Sequence, residues 1–139
     1  MLKVLKFFAF IGFSIFFISD YADQKLSVRN LKPVDSEIHV ALFKTEMDFP
    51  ENPIHSFSFE SIEQQEQVLY LKEIEKGDYL IAIFQDIDKN QELNKNWVGL
   101  PTEPYGFSNN MKPSILGIPF QKGIVKVPCG NTITIDLRH

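Results

Sequence analysis

The segment DIDKNQELN, Asp86 to Asn94, carries an oxygen-bearing side chain at every second position: Asp86, Asp88, Asn90, Glu92 and Asn94. A hard cation such as calcium takes about six to eight oxygen ligands, and alternate residues of a tight loop can aim that many at one point. The spacing matches the first half of an EF-hand loop. Asp86, Asp88 and Asn90 would give side-chain oxygens, Glu92 its backbone carbonyl, and Asn94 an oxygen directly or through water. The motif then departs, because Gln91 stands at the glycine position and Trp97 at that of the bidentate glutamate. A missing ligand would have to come from Glu103 or from outside the loop. The competing reading is a hydrated connection of Asx turns that holds no ion.

The next stretch, WVGLPTEPYGFSNN, runs from Trp97 to Asn110. Gly99 and Gly106 allow tight turns, and Trp97, Tyr105 and Phe107 supply ring area. With Glu103 and Asn109 beside them, these rings suit a surface for a carbohydrate or an envelope protein. The expectation is a cluster of the three rings with at least one partly exposed. In the alternative, the rings cap an open end of the domain.

Evidence for catalysis is thinner. Asp86 and Asp88 form a carboxylate pair, and glycosidases use two carboxylates roughly 5–9.5 Å apart. Two carboxylates in one tight turn more often serve hydration or a cation, so a small envelope hydrolase using Asp86 or Glu103 is the third reading. His39, His55 and His139 are scattered, with no His-Glu-x-x-His and no Gly-x-Ser-x-Gly. Cys129 is expected as a small buried residue at a strand turn. A net charge of −4 argues against nucleic acid, which calls for a basic surface. The chain therefore reads as a noncatalytic module.

The elements that position these residues are strands. Ile38, Val40 and Leu42 alternate with polar or small neighbours, as do Ile133, Ile135 and Leu137, which is how half-buried strands read. Weaker strands are expected at about 26–31, 55–59, 67–71 and 120–127. Residues 78–85 are apolar on both faces and should form a central strand covered from both sides. Ser61–Gln65 is the one helix candidate, too short to stand without packing. The LKEIEKGDY stretch fits a sandwich corner, with Tyr79 returning its hydroxyl to the backbone upstream. About seven strands predict a single all-β domain over residues 23–139, an antiparallel β-sandwich of immunoglobulin-like type. One long loop interrupts it at about 86–119, longer than compact domains usually carry without a function.

Lys3 and Lys6 precede the apolar run Phe7 to Ile18. That pattern predicts a signal peptide over residues 1–22, cleaved after Ala22, and a periplasmic or secreted protein with no membrane span in its mature form. Cys129, the only cysteine, leaves no intramolecular disulfide and no lipid-anchor cysteine after the run.

From Gly77 to Asn110 the chain resembles the signature segment of bacterial domain-of-unknown-function family 2141. The resemblance rests on Gly77 with Tyr79, the Asp86–Asn94 turn, Gly99 with Pro101 and Glu103, and Phe107 to Asn109. Family turns often carry Gly and a further Asp where this chain has Gln91 and Asn94, which weakens the calcium reading. The resemblance implies an exported sandwich related to prealbumin-like or carboxypeptidase-regulatory modules. It implies no established activity.

Overall fold

The computed structural model describes residues 20–139. Most of the expected signal peptide, residues 1–19, lies outside the described residues. Among the described residues, eight strands form: β1 (Tyr21–Arg29), β2 (Glu37–Phe43), β3 (His55–Glu60), β4 (Glu66–Glu75), β5 (Gly77–Asp86), β6 (Tyr105–Phe107), β7 (Ile124–Val127) and β8 (Ile133–Asp136). They make two sheets, β4-β1-β8 and β3-β2-β5-β6, with β7 also paired to β5. Every pairing between them is antiparallel except β1 with β8. The all-β sandwich expected from the alternating pattern is the fold, with that one parallel pair as its departure from a purely antiparallel one.

The two sheets close on one apolar core. Leu26, Val28, Leu69, Leu71 and Ile135 of the first sheet join Ile38, Val40, Leu42, Ile81 and Ile83 of the second. Side chains of this size stabilise the fold by about 1.5–3 kcal/mol each when fully buried. The outer face of β5 is covered too, since Leu80 packs with Phe43, Phe107, Met111 and Phe120. That second cluster is why residues 78–85 are apolar on both faces. At the corner, the Tyr79 hydroxyl, near the start of β5, donates to the Glu75 carbonyl at 2.6 Å, as the corner motif predicts.

Three local expectations need correction. Ser61–Gln65 is not helical: it forms bends, with Glu63 at φ 57. There Gln67 accepts the Ile62 N–H and donates to the Glu60 carbonyl, satisfying groups that a helix would otherwise pair. Residues 120–127 are not one strand, because α1 (Phe120–Gly123) makes a single helical turn before β7. Gly123 permits this turn; a Cβ there would lie 2.2 Å from Leu80 Cδ1. Third, the long loop is not strandless, and β6 inside it raises the count from the expected seven to eight.

Strand β6 seals the sandwich edge. Tyr105 exchanges both backbone hydrogen bonds with Arg138, just after β8. Gly106 is required by this close approach, since a Cβ there would meet the Asp136 carbonyl at 3.0 Å. β7 pairs with Gly77–Leu80 and β6 with Ala82–Phe84 along the same strand, leaving Ile81 between them. The Ile81 N–H is donated to Ser108 Oγ at 2.9 Å, and that hydroxyl donates to the Gly123 carbonyl. Ser108 thus stitches two short strands and a helical turn to β5.

Candidate functional site

The long loop leaves β5 at Asp86 and returns at β6. Asp86 is fully buried. Its Oδ1 accepts the Asn90 N–H at 3.2 Å and its Oδ2 the Gln91 N–H at 2.7 Å, so the carboxylate folds the turn over itself. Asp88 accepts the Asn94 side-chain amide at 2.7 Å, and Asn90 donates to Asn94 Oδ1 at 2.6 Å. The Asn94 hydrogen bond is the main reason the Asp88 carboxyl lies below its usual range. Glu92 is exposed, and its N–H goes to Asn90 Oδ1. Gln91 has φ 67, the left-handed conformation that glycine supplies at this point of an EF-hand loop. The carboxylates of Asp86, Asp88 and Glu103 converge, with one oxygen of each within 4.8 Å of the others.

Glu103, expected on a binding surface, is buried instead. Its two oxygens accept the N–H groups of Ile87 at 2.8 Å and Asn94 at 3.0 Å, which latches the neck of the loop. Beyond the latch, residues 94–102 form a small hairpin. Thr102 donates to the Asn94 carbonyl, Asn96 and Leu100 pair through their backbones, and Asn96 Oδ1 accepts the N–H groups of Val98 and Leu100. The tip is ordered by hydrogen bonds, yet its side chains face water. Trp97 is 95% exposed, with Val98 at 54% and Leu100 at 61%.

The expected cluster of three rings splits. Tyr105 and Phe107 meet edge to face at 6.1 Å, and Phe107 is buried in the second core, where it caps the sheet. Among the described residues, Trp97 makes no ring contact with either. Asn109, at φ 57, donates to the carbonyls of Lys122 and Ile124 and so braces the turn before β7. A second tip, Ser114–Gly117, closes on itself and leaves Ile115 and Leu116 exposed.

Sequence reasoning missed a groove of ≈ 450 Å³ on the outer face of the second sheet. Its floor is the row Ser56, Ala41 and Ala82, small residues set side by side by register. Phe49, Phe84 and Tyr105 stand around it, with Leu93 contributed by the long loop. The only readable signal was small residues at outward positions of two strands. His39, read as isolated, stacks on Phe84 at 4.9 Å and reaches the carboxylates of Glu37 and Asp86. Cys129 is a further correction: it is exposed, and its thiol donates to the Asn131 carbonyl, because the turn after β7 projects it outward.

The fold and the loop together define an all-β sandwich with one long, internally hydrogen-bonded loop between β5 and β6. The chain belongs to the bacterial family described as "Uncharacterized protein conserved in bacteria (DUF2141)", which it matches over residues 26–134. No curated protein and no solved structure matches it. Among the described residues, no helix is long and apolar enough to cross a membrane.

Proposed function

We propose that the protein is an exported, noncatalytic binding module of the bacterial envelope. It engages an envelope protein or a carbohydrate through the tip of its long loop. The observation that carries this reading is the exposure of Trp97 at the end of a hairpin already fixed by hydrogen bonds. A bulky ring facing water on an ordered support loses little conformational entropy on binding, and Trp is among the residues enriched as interface anchors. Val98 and Leu100 extend the same apolar tip. The neighbouring groove offers a second, aromatic-lined contact.

Trp97 is the only tryptophan, so its fluorescence reports the tip alone. A partner that covers it shifts its emission to the blue; emission that stays water-like with every bound candidate counts against the reading. Export is tested by the mass of the protein recovered from the envelope. A start at Asp23 supports it, and an intact Met1 counts against cleavage.

A second reading is calcium stabilisation of the same loop. It is favoured by the left-handed backbone at Gln91 and by the converging oxygens of Asp86, Asp88 and Glu103. Asn90, Asn94 and the Glu92 carbonyl would complete an oxygen shell of the size calcium takes. Calcium would then lock the display tip rather than take part in recognition.

A further inference from the structure

Apart from the display tip, an unusual polar arrangement lies where β2 starts and β5 ends. The register sets Glu37 opposite Asp86 and His39 opposite Phe84. Alternation along β2 places Glu37 and His39 on one face. The imidazole is held by stacking on Phe84 at 4.9 Å and 20°. Its Nε2 lies 3.2 Å from Glu37 Oε2 and 3.3 Å from Asp86 Oδ2. Neither approach has the direction of a hydrogen bond, and Nε2 is sealed from solvent without a hydrogen-bond partner.

Those separations have a simple geometric meaning. Zinc binds nitrogen and carboxylate oxygen at about 2.0–2.2 Å in a tetrahedron, so neighbouring ligand atoms lie about 3.3–3.5 Å apart. The distances from Nε2 to the two carboxylates are close to that edge length, and all three ligand atoms lie within 4.8 Å of one another. A metal on the Nε2 lone pair also explains why that nitrogen faces two acceptors while making a hydrogen bond to neither. One imidazole with two carboxylates suits a borderline ion, whereas calcium prefers an all-oxygen shell.

We propose that Glu37, His39 and Asp86 form a binding site for a divalent transition-metal ion of the zinc class. Three protein ligands leave the fourth position to water. The ion would tie the first residue of β2 to the last of β5, at the root of the long loop. This site does not depend on the binding role of Trp97. It shares only Asp86 with the calcium reading.

The test uses the purified full-length protein, stripped with chelator and titrated with Zn²⁺ at neutral pH. The expected result is one equivalent bound, with Co²⁺ in the same site giving the intense visible absorption of a tetrahedral complex. Loss of a second-shell partner alone weakens such sites about 10–100-fold, so His39→Ala should weaken binding by about a hundredfold or more. His55→Ala, whose Nε2 is also unpartnered, and Asp88→Ala should both retain wild-type zinc affinity. Glu37→Gln serves as a second ligand variant should His39→Ala fail to fold. Absence of zinc binding overturns the proposal, as does wild-type affinity in a folded His39→Ala or Glu37→Gln. An imidazole that titrates with pH while zinc leaves its NMR signals unmoved also overturns it, and identifies a charged histidine between two carboxylates.

Discussion

The carboxylate of Glu103 accepts the backbone N–H of Asn94 at 3.0 Å, across the neck of the long loop. Its other oxygen takes the Ile87 N–H, so one buried side chain joins the two ends of the turn. Removing it leaves both half-buried donors without their charged acceptor, and a hydrogen bond to a charged group contributes about 1.5–3 kcal/mol. Glu103→Ala should therefore destabilise the protein by about 2–4 kcal/mol in urea unfolding. Trp97 anisotropy should fall in the folded state, since the tip loses its anchor. Unchanged anisotropy would mean that the hairpin holds itself.

Ser108→Ala removes one hydroxyl that serves two backbone groups, the Ile81 N–H and the Gly123 carbonyl. Both lie in a dry region, where an unsatisfied group costs about 1–3 kcal/mol. The expected loss is about 2–4 kcal/mol, far more than an exposed Ser→Ala change. A loss below about 0.5 kcal/mol would show that the gap between β6 and β7 can close without it.

Most of the framework was readable because its signals are local. Alternation marked β2 and β8, apolar runs on both faces marked β5, and Gly77 with Tyr79 marked the corner. What could not be read depends on contacts distant in sequence. Gly106 looks like a turn signal, yet its smallness serves the approach of the Asp136 carbonyl. Glu103 looks like a surface acid until Ile87 and Asn94 are brought around it. The meeting of His39 with Asp86 depends on the register of β2 against β5, and the groove floor depends on Ala41 facing Ala82. A single sequence specifies neither register directly.

Asp88 provides a pH test. Its carboxyl lies below the usual 3.8, first because of the Asn94 side-chain hydrogen bond. A carboxyl with a lowered folded pKa contributes stability that is present above its unfolded pKa and lost as pH falls through the folded value. The window is therefore below about 3.8. In an NMR titration Asp88 should titrate below that value, and Asn94→Ala should move it upward. An unmoved titration would show that Asn94 does not hold the carboxylate in solution.

The calcium reading makes a separate thermal prediction. A weak extracellular site has a dissociation constant of about 0.1–1 mM. At tenfold excess, binding stabilises the fold by roughly 1.4 kcal/mol. That raises the melting temperature by about 4–6 °C for a domain of this size. Asp88→Ala should abolish the rise, while His39→Ala should leave it in place. Melting curves that coincide in calcium and in chelator would leave a hydrated turn and no ion.

The central claim, that the tip of the long loop recognises a partner, is tested most directly by comparing wild-type protein with Trp97→Ala as baits in a quantified envelope pull-down, with a glycan array run in parallel. An anchor tryptophan carries about 2 kcal/mol or more of binding free energy, so the variant should bind the retained partner or glycan at least about thirtyfold more weakly. Its melting temperature should be unchanged, because Trp97 packs into neither core cluster. A partner held equally by both proteins, or no ligand on either platform, would contradict the account.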